Sequence, residues 1–255
     1  LPSFPTRRSS DLQPEVIFIT VKANALPLIA SAIEAFYREG MYVISWQNGI
    51  DTELELTKVL GRSGVMRAVV NYGCGLVAPG HVRLPFHHPP HFLQELDPKS
   101  KGATVAIAQA LTACGLTTEA TKDIISMVWR KGVLNACMNP VCAVTGLTMN
   151  RAMTDPIVFN TVNALVKECI QVARANEINL GWDFYPHAIE YMSKAGDHKP
   201  SMLMDVEAGR RTEVDFINGK FVEYGLRAGI DTPFNKTLLS LVKGLESSIE
   251  SRRKG

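Results

Sequence analysis

The pattern of apolar and polar positions changes partway along the chain. Between Glu15 and about Leu116, short apolar runs alternate with helical stretches. The run Val16, Ile17, Phe18, Ile19, Thr20, Val21 is apolar and β-branched, as a buried strand requires. Strands are expected over 15–21, 41–46 and 65–71, and helices over 25–38, 51–60 and 102–114. This strand–helix alternation predicts a parallel α/β sheet. Residues 79–100, rich in Pro and His, read as a hairpin or loop. From about Thr117 the strand signals stop. Helical patterns cover 120–139, 155–176, 184–194, 202–209, 213–228 and 235–251, with a loop over 195–200. One helix has a clear start, with Thr154 or Asp155 as N-cap and Pro156 in the first turn. An α/β domain followed by an all-helical one is therefore expected, with the boundary near 116–120.

Composition narrows the function classes. The formal net charge is +2, from 27 Lys and Arg against 25 Asp and Glu, which gives no reason to expect nucleic acid or an anionic membrane. No apolar run reaches the roughly 18 residues of a membrane span, and no signal-peptide pattern opens the chain. The five cysteines fit neither zinc spacing nor a disulfide frame; buried, reduced thiols in a cytoplasmic protein are expected. His87, His88 and His91 sit around two prolines and read as a surface feature, with no metal site expected.

Three segments carry candidate chemistry. In WRKGVLNACMNP, Lys131, Asn135 and Asn139 recur every fourth residue. Each step of four turns a helix by only about 40°, so the three form one polar column. Bulky apolar neighbours would bury the lysine in part and lower its pKa, making it an acid usable near neutral pH. A snorkelling Lys beside two satisfied core amides fits the spacing as well. Gly132 sits mid-helix, where something is expected to pack close. Further on, Ser201 follows a proline and is expected to cap a helix. Glu213 lies beside Val214, and could serve as an acid, an ion-pair partner or an acceptor for a ribose hydroxyl, or lie on a solvated face. Lys22 in VKAN and Asn48 in WQNGI each follow a strand and precede a helix, where doubly wound sheets bind ligands. Asn48-Gly49 is equally an ordinary turn dipeptide.

Taken together these segments resemble the ketopantoate reductase (2-dehydropantoate 2-reductase) family. The resemblance rests on VKA at Val21–Ala23, on Asn48–Gly49, on Lys131, Asn135, Asn139 and Pro140, and on Ser201 followed by TEVDFINGKFV at Thr212–Val222. It runs from about Pro14 to the C-terminus. It implies an NADP(H)-dependent enzyme reducing 2-dehydropantoate to (R)-pantoate for pantothenate and coenzyme A synthesis. Lys131 would be the general acid. Asn135, Asn139 and Ser201 would bind the substrate, a small 2-keto acid; Asn150 is the nearest candidate for a further substrate Asn. Lys22, Asn48, Glu213 and Cys74, near the family's small residue after the third strand, would line the cofactor site. A sibling reductase for another 2-keto acid is the alternative, and a homodimer is left open as the assembly.

The resemblance also implies a first strand and a GxGxxG loop, which cradle the dinucleotide phosphates. GCGLVAPG at 73–80 lacks that spacing. In its place stands SFPTRRSSDL, Ser3–Leu12, which reads as the in-frame translation of a common sequencing-library adapter. The expected organisation is thus an artefact over 1–12, an incomplete Rossmann-type dinucleotide-binding domain over 13–118, and a helical substrate domain over 119–255. A chain so truncated is expected to bind NADPH weakly and to be weakly active or a non-catalytic remnant.

Overall fold

The computed structural model describes residues 14–254; the stretch Ser3–Leu12 lies outside them. The chain divides into two compact units. One holds residues up to Gln47 and Asp51–Ile124, the other Asn48–Ile50 and the chain from Ile125 onward.

The first unit is built on a five-stranded sheet whose strands, in spatial order, are Val16–Ile19, Tyr42–Ser45, Val65–Val69, His91–Glu95 and Thr118–Ala120. Strands β1 (Val16–Ile19), β2 (Tyr42–Ser45) and β3 (Val65–Val69) run parallel, joined by helices α1 (Leu26–Glu34) and α2 (Thr52–Leu60). Their register sets Ile19 opposite Ser45 and Ser45 opposite Arg67. Between β3 and β6 (His91–Glu95) the chain passes through a hairpin, β4 (Tyr72–Ala78) and β5 (His81–His87), rather than a crossover helix. The chain therefore returns in the opposite sense, and β6 pairs antiparallel with β3, Met66 facing Glu95. Helix α3 (Lys101–Ala113) then leads to β7 (Thr118–Ala120), parallel to β6. Ile44, Met66, Ala68 and Leu93 form the buried centre of the sheet, covered by Ala103, Ile107 and Leu111 of α3.

Several expectations are corrected here. The 79–100 segment, expected as a hairpin or loop, holds the turn and second strand of a hairpin and then a strand of the main sheet, and strand structure continues past Thr117 into β7. His91 is no surface residue: it is fully buried, its Nδ1 accepts from the Asn71 amide at 2.9 Å, and its Nε2 lies 3.1 Å from that of His87. Its place on β6, alternating with Leu93, buries it. All five cysteines are free, but only Cys137, Cys142 and Cys169 are buried; Cys74 and Cys114 are exposed.

The second unit contains α4 (Ile124–Thr145, which begins one residue earlier), α5 (Met149–Thr154), α6 (Pro156–Ala175), α7 (Phe184–Ser193), α8 (Ser201–Glu207), α9 (Asn218–Arg227) and α10 (Pro233–Lys254). Asp155 starts α6 as its N-cap, its carboxylate accepting from the amides of Ile157 and Val158 at 2.9 and 3.0 Å. Trp129 is the anchor of the unit, edge-on to Phe221 and Tyr224 of α9. Two expectations change. Helix α4 does not stop at residue 139 but continues through Pro140 for a further turn. Ser201 does not cap α8: Pro200 holds the N-cap position, and Ser201 is the first helical residue, exposed.

Candidate active site

The loop after β2 is held at both feet by one buried arginine. Arg67 stands in the middle of β3, and its Nη1 donates to the Gln47 carbonyl at 3.0 Å, to Thr52 Oγ1 at 2.6 Å and to Ser45 Oγ at 3.1 Å. Its Nε lies 3.3 Å from the buried carboxylate of Glu53, in the first turn of α2, where a helix favours negative charge. Between those feet, residues 48–50 belong to the second unit. The Ile50 amide donates to the Phe216 carbonyl at 2.9 Å. Gly49 has φ +108°, and a Cβ there would come within 2.8 Å of Phe216 Cβ, so the position admits glycine alone without strain. Ile50 also fills the notch left by Gly132 on α4, 3.3 Å from where a Cβ would be, which is the close packing expected of that glycine.

The second unit thus brings together Asn48, α4 and the turn after Glu213. On α4, Lys131 and Asn135 are half-buried and Asn139 is buried, one above the other on the helix. Glu213 is buried, and its carbonyl accepts from the amides of Phe216 and Ile217, closing the 3-10 turn on which Ile50 rests. The remaining expected residues lie elsewhere. Lys22, half-buried, precedes a 3-10 turn after β1 in the first unit, and Cys74 is exposed on β4 of the hairpin. Asn150 lies on α5, its amide donating to the Gly196 carbonyl at 3.1 Å. Ser201 opens α8.

The thiols of α4 are inert by environment. Burial pushes Cys142 up to about 12. Burial also raises Cys137 well above its ordinary value, and the hydrogen bond with Cys169 adds to this. Among the described residues no group of three or more His, Cys, Asp or Glu could hold a metal ion, and no helix is long and apolar enough to cross a membrane.

Sequence reasoning passed over two structural keystones. Arg67 carried a signal, a lone charge inside VMRAVV. Asn218 also carried one, because a proline within a helical pattern calls for a donor from elsewhere. Asn218 Nδ2 donates to the Ala136 carbonyl at 3.0 Å and to Asn235 Oδ1 at 2.8 Å.

A five-stranded α/β unit, and a helical unit carrying a Lys-Asn-Asn column, define a two-part α/β and all-α architecture. Comparison with known proteins names the family. Residues 123–246 match the model of the ketopantoate reductase PanE/ApbA C-terminal domain, and residues 1–92 that of ketopantoate reductase PanE/ApbA. The 2-dehydropantoate 2-reductase of Archaeoglobus fulgidus is 32% identical over 242 residues, covering 93% of this chain and 79% of the relative. That of Pyrococcus horikoshii is 29% identical, covering 92% and 77%. Among solved structures, a ternary complex of D-mandelate dehydrogenase with NADH and anilino(oxo)acetate superposes with a TM-score of 0.84 at 27% identity, over 92% of this chain and 77% of that one. A PanE/ApbA family ketopantoate reductase from Ralstonia eutropha gives 0.82 at 28% identity, with the same coverage. The chain belongs to the ketopantoate reductase family and is an oxidoreductase.

Proposed function

We propose that this protein is an NADPH-dependent 2-dehydropantoate 2-reductase that supplies (R)-pantoate for pantothenate and coenzyme A synthesis in the cytoplasm. The observation that carries this reading is the α4 column of Lys131, Asn135 and Asn139, with the Asn48 loop seated against the same helix through Ile50 and Gly132. One feature of the first unit also fits a dinucleotide. Gln47 Nε2, at the carboxyl end of β2, is buried with no hydrogen-bond partner, a donor available to a ligand oxygen.

When bound, the nicotinamide supplies the hydride that reduces the keto carbon. Lys131, as its ammonium, points a positive charge at the carbonyl oxygen and gives it a proton as the alkoxide develops, leaving a neutral amine and the alcohol. The amides of Asn135 and Asn139 orient the substrate hydroxyl and carboxylate oxygens, with Asn150 and Ser201 as further substrate contacts. Lys22, Asn48, Cys74 and Glu213 contact the cofactor. A homodimer is the assembly we propose.

Initial rates with 2-dehydropantoate and NADPH, against NADH, test the reading. Lys131→Met is expected to lower kcat by about 10²- to 10⁴-fold, the usual contribution of a positioned acid, with the fold intact by circular dichroism. An unchanged kcat removes Lys131 from the chemistry. The likeness to D-mandelate dehydrogenase supports a second reading, a bulkier 2-keto acid as substrate. A higher kcat/KM for an aryl 2-keto acid than for 2-dehydropantoate selects it.

A further inference from the structure

Helix α4 runs through Pro140, and a proline inside a helix removes one hydrogen bond. The N–H missing at Pro140 is the one that would close on the carbonyl of Ala136, four residues earlier. Ala136 is fully buried, and a buried carbonyl left unpaired costs about as much as a lost hydrogen bond. The side chain of Asn218, also fully buried, supplies the missing donor: its Nδ2 reaches the Ala136 carbonyl at 3.0 Å.

The orientation of that amide is dictated from a distance. Glu168 on α6 accepts from the amides of Phe234 and Asn235, in the first turn of α10, at 3.0 and 2.8 Å. It also accepts from Asn235 Nδ2 at 2.8 Å. Asn235 therefore turns its oxygen toward Asn218, at 2.8 Å. With one acceptor on Asn235 and another on Ala136, only the NH2 end of Asn218 can face them. A carboxylate on α6 thus fixes a donor on α9 against the break in α4.

The lost bond spans Ala136 to Pro140, so it overlaps the turn that carries Asn135 and Asn139. Without a donor at Ala136 the two halves of α4 are free to bend apart, and the polar column would no longer share one face. We infer that Asn218 is a positioning residue, which acts through α4 by replacing the hydrogen bond lost at Pro140 and so holds Lys131, Asn135 and Asn139 in one line. As a statement about catalysis this rests on the reductase reading above; as a statement about α4 it does not.

The test is a rescue measured two ways. In Asn218→Ala, amides of residues 137–143 are expected to exchange hydrogen about tenfold faster or more, while those of β2 and β3 keep their rates. Adding Pro140→Ala gives Ala136 a backbone donor again, and the double variant is expected to recover the slow exchange. Reduction of the 2-keto acid follows the same course, kcat/KM falling about tenfold or more in Asn218→Ala and recovering in the double variant. Unchanged exchange in Asn218→Ala, or a double variant that stays loose, overturns the proposal. So does protection recovered without recovery of rate, which would leave Asn218 a purely structural part. If Asn218→Ala does not fold, a folded double variant supports the proposal. A double variant that also fails to fold assigns the role to the Asn235 bond and overturns it. Absence of turnover in the unmodified protein sinks the reductase reading alone, and the exchange rates still decide for or against Asn218.

Discussion

Each unit buries a polar network beside its candidate site residues, one around Arg67 and one around Asn218, and the two are made of different chemistry. In the first, Arg67 and Glu53 form an ion pair that is almost wholly out of solvent, and the guanidinium Nη1 donates to Ser45, Gln47 and Thr52. In the second, the carboxylate of Glu168 on α6, set against the first turn of α10, passes its orientation through two neutral amides, Asn235 and Asn218, to a backbone carbonyl. A charged keystone reaches several groups at once, but removing it unbalances the buried charge beside it. An amide relay distributes the work, and each member controls the direction of the next. The first arrangement suits a loop that must be pinned at both feet. The second suits a helix that needs one donor in one place.

The largest effect expected from this difference is at Arg67. Arg67→Met removes the guanidinium that lies 3.3 Å from the buried Glu53 carboxylate and is expected to cost about 3–5 kcal/mol in urea unfolding. Adding Glu53→Leu removes the buried negative charge as well and is expected to return most of that stability. The Gln47 carbonyl and the Thr52 hydroxyl still lack their donor in the double variant. On the proposed reading, in which this loop meets the cofactor, NADPH affinity should therefore stay weak while stability returns. If affinity returns with stability, the arginine is only a core ion pair and the contrast with Asn218 collapses.

The sequence announced some of these parts and hid others for physical reasons. The parallel strands were legible because apolar, β-branched runs carry their strand preference locally; VMRAV is buried on both faces, and VIFITV reads the same way although only Ile19 in it is buried. Lys131, Asn135 and Asn139 were legible because a period of four is a local property of a helix. Strand β6 was not, since HFLQE is short, follows two prolines and becomes a strand only by pairing with β3. The continuation of α4 past Pro140 was hidden because its stabilising donor comes from a residue 82 positions away in sequence. Ser201 looked like a cap because serine usually is one; the preceding proline took that place. What a segment does alone could be read, and what it borrows from a distant segment could not.

A middle-sized effect is expected at the origin of the amide relay. Glu168→Gln keeps the size and shape of the side chain but removes the charge facing the α10 N-terminus, and half of its acceptor capacity. The expected loss is about 1–3 kcal/mol in the same urea assay, the range for a charged hydrogen bond and a helix terminus together. This is less than the loss at Arg67, because no buried charge is left behind. The new NH2 group can also face Asn235 and reverse the relay, turning the oxygen of Asn218 toward Ala136. Faster exchange at 137–143 in Glu168→Gln would show that direction is transmitted. Slow exchange there would show that Asn218 orients itself.

The smallest effect expected is alkaline and belongs to the second unit, where thiols adjoin the relay. Asn235 Nδ2 lies 3.4 Å from Cys169 Sγ, and Cys137 and Cys142 share α4 with the break. The Arg67 network contains no thiol. Burial raises Cys142 from 9.0 to about 12, so the folded protein keeps a proton that the unfolded chain releases. A raised folded value contributes stability that is whole below pH 9.0 and is lost as pH climbs toward about 12. One such thiol gives a slope of up to about 1.4 kcal/mol per pH unit in that window. The urea midpoint should hold between pH 7 and 8 and fall by about 1 kcal/mol in equivalent stability between pH 9 and 10 on account of Cys142. Tyrosines and lysines titrate in the same range, so Cys142→Ala is the comparison that isolates this share. Its stability should fall less steeply with pH than that of the unmodified protein. Equal slopes would mean that the thiol reaches water in the folded state, and α4 would then be looser around Pro140 than the Asn218 bond allows.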